Sequence, residues 1–174
     1  MAKNVTIDGK NVEIERKFLI KMPDIQKLRK MDNYSESYIE QIYISQTGDF
    51  EGSRIRFRKY DDGKCVYFKT HKEDITGITR FEEEKEITQE EYKSLSKLKL
   101  EGSRAINKTR CCFDYMGLTV EIDIYDFCSD KAALEIELES EDQQYFIPPF
   151  IEVIAEVSGI EKYRNYSLAM GENL

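Results

Sequence analysis

Charged side chains recur at every second position in six stretches of this sequence. Glu13, Glu15 and Lys17 alternate in Glu-Ile-Glu-Arg-Lys, and Arg54, Arg56 and Arg58 alternate in Ser-Arg-Ile-Arg-Phe-Arg. Glu82, Glu84 and Glu86 follow, then the pairs Lys108 and Arg110, Glu121 and Asp123, and Glu135 and Glu137. Successive side chains on a β-strand point to opposite faces, so each set occupies one face of one strand. Like charges on neighbouring positions of a strand face repel unless the opposite sign, or a ligand, lies across from them. Acids and bases are therefore expected to face each other across a shared cavity.

Carboxylates in such an array are donors for hard divalent ions. Mg²⁺ and Mn²⁺ prefer oxygen, and Mg²⁺ commonly takes one or two carboxylates together with water and phosphate oxygens; Glu135 and Glu137 suit that role. The chain has a single histidine, His71, so neither triad chemistry nor a His-rich zinc site is supported. A lone Glu-x-Glu is ordinarily a solvated strand face, and it is the combination of sets that points to a site. Arg16 falls on the opposite face and reads as a surface charge. Tyr38, Tyr43, Tyr67 and Tyr163 read as packing residues with a satisfied hydroxyl. Cys112 shares the parity of Lys108 and Arg110 but reads as a small core filler.

The elements that must carry these residues are mostly strands. The first is the charged segment Glu13 to Ile20. Pro23 opens a short amphipathic helix over Asp24 to Met31, with Ile25, Leu28 and Met31 on one side. Ser37 to Ser45 and Ser53 to Tyr60 read as strands, and Asp61-Asp62-Gly63-Lys64 turns into Cys65 to Thr70. Thr79 to Ile87 is a further strand. Thr88-Gln89-Glu90-Glu91 is a capping box that starts a helix running to about Leu98, with Tyr92, Leu95 and Leu98 as its buried stripe. Strands follow at Ala105 to Tyr115, Leu118 to Phe127 and Ala133 to Ser140. The tail is expected to hold a helix near Ile151 to Val157 and another near Lys162 to Met170.

About eight strands in hairpin order predict a mainly β (α+β) fold, an antiparallel sheet curled into a tunnel-like barrel with a charged interior and flanking helices. A barrel of that size encloses one small ligand. The other face of the strands carries Ile14, Phe18, Ile55, Phe57, Val66, Phe68, Phe81, Ile87, Val120, Ile122, Ile124, Leu134, Ile136 and Leu138. This apolar side is expected to look outward, beneath the helices.

The 174 residues predict one domain, and 40% hydrophobic content with 11% aromatics is enough for a core. A formal net charge of -8 argues against nucleic-acid or anionic-membrane binding. No signal peptide or membrane span is apparent, so a cytoplasmic location is expected. Cys65, Cys111, Cys112 and Cys128 lack metal or disulfide spacing and read as free thiols. A homodimer is left open.

Glu13-x-Glu15-x-Lys17, followed in order by Arg-x-Arg, Lys69 after a hairpin, Glu-x-Glu-x-Glu, Lys-x-Arg, Glu-x-Asp, Glu-x-Glu and Lys162-Tyr163, resembles the CYTH superfamily, the triphosphate tunnel metalloenzymes, over nearly the whole chain. The resemblance implies an antiparallel tunnel that binds a triphosphate among basic residues, with Mg²⁺ or Mn²⁺ held by carboxylates. Carried over to this chain, it implies Glu13, Glu15, Glu135 and Glu137 as metal ligands and Asp123 as the ligand of a second ion. Two such ions would bind phosphoryl oxygens and activate water. Arg56 and Lys69, with Arg54 or Arg58 and with Lys108 and Arg110, would hold the phosphates. Lys17 would contact the scissile phosphoryl group, and Lys162 would sit on a short helix closing one tunnel end.

The function expected is metal-dependent hydrolysis of the terminal phosphate of a linear triphosphate, with inorganic triphosphate first. Thiamine triphosphate hydrolysis, class IV adenylyl cyclase activity and non-catalytic binding of polyphosphate are the alternatives. Nothing obvious reads a base or a thiamine ring, although Tyr43 or Phe50 could stack on an organic group.

Overall fold

The computed structural model describes residues 5–7, 10–45 and 53–174; Phe50 lies outside them. The described residues form ten strands: β1 (Val5–Ile7), β2 (Lys10–Lys21), β3 (Asp32–Tyr43), β4 (Arg54–Tyr60), β5 (Cys65–Asp74), β6 (Thr79–Glu86), β7 (Ile106–Tyr115), β8 (Leu118–Tyr125), β9 (Lys131–Glu137) and β10 (Val153–Glu156). Among the described residues three short α-helices accompany them, α1 (Ile25–Leu28), α2 (Gln89–Leu95) and α3 (Asn165–Ala169), with 3₁₀ turns at Ser96–Leu98 and Glu161–Tyr163.

The strands run antiparallel in the order β2-β6-β5-β4-β3-β7-β8-β9, and β9 returns to pair with β2. That return closes an eight-stranded barrel and removes the open edges that an unclosed sheet would expose. β2 is the seam. Val12–Ile14 pair with β6, whereas Glu15–Lys21 pair with β9. β1 lies beside the start of β2 and β10 beside its later part.

Local chemistry accounts for several of these boundaries. Asp24 caps α1 by accepting from Gln26 N at 3.0 Å, and the Thr88–Glu91 capping box starts α2 in both directions. Met116 and Gly117 join β7 to β8 with positive φ at both positions, 52° and 83°, the twist that a two-residue hairpin loop requires.

The apolar face does look outward. Ile14, Phe18, Val120, Ile122, Leu134 and Ile136 pack with Leu28 of α1 and with Ile151. Ile42, Ile44 and Ile55 pack with Tyr92 of α2. A third cluster joins Tyr43, Ile106, Tyr125 and Ala133 to Leu168 and Ala169 of α3, so the final helix covers inward-facing residues of the barrel.

Four expectations need correction. The segment expected as a helix over Ile151 to Val157 is instead extended: Val153–Glu156 form β10, because β2 offers a backbone edge that local sequence does not reveal. Leu98 is 46% exposed, since α2 gives way to a 3₁₀ turn at Ser96–Leu98 that rotates it off the buried stripe. β5 continues past Thr70 to Asp74. Val66 and Phe68 belong to the inner face of β5, as its pairing with β4 shows below. Among the described residues no helix is long and apolar enough to cross a membrane.

Candidate active site

Directly opposed residues in an antiparallel ladder share a face, so the register assigns every side chain to the inside or the outside. Arg54, Arg56 and Arg58 are opposite Thr70, Phe68 and Val66 of β5 and Tyr43, Gln41 and Ile39 of β3. Lys72 and Thr70 are opposite Glu82 and Glu84, and Arg110 is opposite Asp123. Glu15 and Lys17 are opposite Glu137 and Glu135. All of these positions share the inner face. They surround a cavity of about 590 Å³ whose wall includes Glu13, Glu15, Lys17, Arg54, Arg56, Arg58, Lys72, Glu82, Glu84, Lys108, Arg110, Glu121, Glu135 and Glu137.

Lys69 is not among them. It is opposite Ile55, which is buried in the outer cluster beneath α2, so Lys69 belongs to the outer face and Lys72 is the lysine that β5 sends inward. The register signal lay in the sequence: the Asp61–Lys64 turn places Lys59 opposite Cys65, and counting outward from that pair puts even-numbered residues together. Glu82 and Glu84 also belong to the wall, as do Glu121, Gln41 and Tyr43.

Two charge networks cover the wall. In the first, Asp123, only 1% exposed, accepts from Lys108 Nζ and from Arg110 Nε and Nη2, the last two at 2.7 Å. Arg110 also bonds Glu121 through Nη1 and Glu135 through Nη2 at 2.8 Å, and Lys17 Nζ meets the other Glu135 oxygen at 2.9 Å. Both Asp123 oxygens are thus taken by cations of the protein, and Asp123 lies behind Arg110 rather than on the cavity surface. The expectation of a second ion on Asp123 does not match this geometry. In the second network Lys72 joins Glu13 and lies 3.3 Å from Glu82, and Arg56 Nη2 donates to Glu84 at 2.5 Å.

The electrostatics divide the carboxylates. Burial works to raise Glu135, but Lys17 and Arg110 outweigh it and hold the group well below the usual range. Burial likewise opposes Lys72 at Glu13, and Lys72 prevails, so Glu13 is lowered. Glu15 and Glu137 go the other way. Burial, joined by the neighbouring carboxylates Glu13 and Glu135, pushes Glu15 up to about 7; burial, with Glu121 and Glu13, pushes Glu137 up to about 7. Burial also presses Lys108 down to about 8 against the pull of Asp123.

Among the described residues, buried Nε atoms without a hydrogen-bond partner occur on Arg16, Arg54, Arg56 and Arg80, although a buried N–H ordinarily finds one; Arg80 Nε lies 2.8 Å from Asp74, and Arg54 and Arg56 are the two on the β4 wall of the cavity. Arg56 also lies over the Phe68 ring, 5.4 Å from its centroid.

Among the described residues, no group of three or more His, Cys, Asp or Glu side chains is gathered to hold a metal ion unaided. The donor chemistry nevertheless fits one. Glu15 and Glu137 are crowded, half-buried carboxylates whose charged forms are disfavoured by desolvation and by the neighbouring acids Glu13, Glu121 and Glu135, and a Mg²⁺-type ion needs only one or two carboxylates when phosphate and water complete its shell.

Lys162 is exposed, with Nζ 5.5 Å from the Tyr163 ring centroid, and does not face the cavity. Arg164 lines the wall instead and donates to Asp74 at 2.6 Å. The segment before it, Val157 to Glu161, forms part of the wall where β2 and β6 diverge. Gly159 there has φ +69°, and a Cβ on it would meet Gly77 O at 2.6 Å.

A family model described as the CYTH domain matches residues 11–147. Among solved structures, the inorganic triphosphatase NE1496 is similar at 27% identity and TM-score 0.55, covering 91% of this chain and 94% of that one. A further structure, of the hypothetical protein NE1496, gives 28% identity and TM-score 0.56, covering 92% and 99%. No curated relative matches the chain.

Proposed function

The chain belongs to the CYTH domain family, and from that premise we propose that it is a divalent-metal-dependent hydrolase that removes the terminal phosphate of a linear triphosphate, inorganic triphosphate above all. The observation that carries this reading is the pair of buried, unpartnered Nε atoms on Arg54 and Arg56 in a cavity whose other wall holds Glu15 and Glu137. Guanidinium N–H groups lacking an acceptor match an anion with many oxygens, and carboxylates pushed up by burial and by neighbouring acids match a cation. A metal triphosphate is both at once. The wall is charged over most of its extent, and several of its aromatics are already engaged: Tyr43 accepts from Gln41 at 3.0 Å and packs edge-on to Tyr166, and Phe68 lies beneath Arg56. That favours an all-phosphate substrate, and the similar NE1496 is an inorganic triphosphatase.

In this reading Arg54, Arg56, Arg58, Lys72, Lys108 and Arg110 hold the phosphate chain, and Lys17, fixed by Glu135, contacts the phosphoryl group that is lost. Glu15 and Glu137 hold the divalent ion, Mg²⁺ or Mn²⁺, flanked by Glu13 and Glu135. When bound, that ion neutralises phosphoryl oxygens and lowers the pKa of water toward a nucleophile. Asp123 keeps Arg110 and Lys108 in place. Phosphoryl transfer depends mainly on such positioning and charge stabilisation.

The test is a product assay on inorganic triphosphate, thiamine triphosphate, ATP and longer polyphosphate with Mg²⁺ or Mn²⁺. Orthophosphate and pyrophosphate from inorganic triphosphate, dependent on the ion, are expected. Pyrophosphate with a cyclic nucleotide from ATP would replace this reading by cyclisation, and triphosphate binding without turnover would replace it by a silent binding module.

A further inference from the structure

Arg56 cannot do this work unless its guanidinium is held still, and the structure contains a device for that outside the charged set. Thr70, fully buried on the inner face of β5, donates from Oγ1 to Glu84 Oε2 at 2.9 Å. The same Oε2 accepts from Arg56 Nη2 at 2.5 Å. The ladder imposes this meeting: Thr70 is directly opposite Glu84 on β6 and Arg54 on β4. Glu84 is 29% exposed at its side chain, and a carboxylate that accessible has several rotamers to choose among. The Thr70 hydroxyl selects one. With Nη2 tied to Glu84 and the ring of Phe68 beneath, the free Nε of Arg56 remains available in a fixed direction.

We propose that Thr70 is a positioning residue for the triphosphate: it acts through Glu84 to orient Arg56, and it makes no contact with substrate itself. This inference rests on the functional reading above and adds to it a neutral side chain that no charge pattern would reveal. Thr70 has an isosteric partner in valine that removes only the hydroxyl, so shape and hydrogen bonding can be separated.

Binding of inorganic triphosphate is measured by calorimetry, and KM and kcat for its hydrolysis with Mg²⁺, for wild type, Thr70→Val, Thr70→Ser, Glu84→Ala and the Thr70→Val/Glu84→Ala pair. Loss of one hydrogen bond to a charged group predicts Kd and KM about tenfold higher in Thr70→Val, with kcat within about twofold and Tm little changed. Thr70→Ser restores wild-type values. In the Glu84→Ala background Thr70→Val adds less than about twofold, since its route is already cut. Should Thr70→Val fail to fold, Thr70→Ala provides the same comparison. Unchanged Kd in a folded Thr70→Val, or full additivity in the pair, overturns the proposal while leaving the hydrolase reading intact. A wild-type protein that does not bind triphosphate overturns both.

Discussion

Glu15 on β2 and Glu137 on β9 are directly opposed across the strand pair that closes the barrel, and both are pushed up to about 7. For a carboxylate raised from 4.5, the folded chain retains protons that the unfolded chain has released. Stability therefore falls as pH rises from 4.5 through about 7, and the full penalty is present above that. Thermal unfolding without divalent ions should show Tm decreasing between about pH 5 and about pH 7.5. Mg²⁺ or Mn²⁺ should raise Tm more at the higher pH, because deprotonated carboxylates bind it. An ion-induced shift that grows toward lower pH would contradict the assignment.

Glu137→Gln removes half of this pair. It should flatten the decline of Tm with pH and abolish most ion-dependent phosphate release. A variant that hydrolyses triphosphate at wild-type rates would release Glu137 from the metal site.

The two lysines of β5 give a sharper contrast. Lys72→Ala should weaken binding of inorganic triphosphate about tenfold or more, by loss of a buried cation from the wall. Lys69→Ala, on the outer face, should stay within about twofold, as surface substitutions generally do. The reverse ranking in a calorimetric titration would place the register of β5 in error.

Asp123→Asn tests whether that residue is structural. Arg110 would keep its charge without this counterion, Lys108 would lose the carboxylate that opposes its burial, and breaking a buried ion pair by losing one partner costs about 3–5 kcal/mol. Urea unfolding should show that loss. Unaltered stability with lost activity would return Asp123 to the role of metal ligand.

Gly159→Ala should destabilise by about 1–3 kcal/mol, the range for a non-glycine residue held at positive φ, with the clash against Gly77 O added. Gly77→Ala should be much milder, because a Cβ there meets only Gly159 Cα at 3.9 Å. Equal Tm changes in the two variants would contradict the packing described.

Alternation of charge was enough to recognise β2, β4, β7, β8 and β9 and the face each turns inward, because period two is a property of the strand itself. Lys69 shows where that reading stops: a face is assigned only once the register with a neighbour is known, and the turn at Asp61–Lys64 held that information unused. Lys72 is hidden for the same reason, lying past Thr70, where the strand pattern of the sequence ends although β5 runs on to Asp74. β10 was illegible for a different cause, since Val153–Glu156 are extended by pairing with β2, some 130 residues earlier. Asp123 and Glu121 carry the same charge on one strand face, and nothing local distinguishes a carboxylate absorbed by Lys108 and Arg110 from one facing the cavity.

The closing of β9 onto β2 has a consequence for how the protein comes into being. Chains emerge N-terminus first, so Glu13, Glu15 and the arginines are synthesised well before Glu135 and Glu137, and a nascent chain that stops after β8 lacks Glu135, the counterion that Lys17 and Arg110 share. Contacts so distant in sequence form slowly. Competence to bind and closure of the barrel therefore arrive together, with β9.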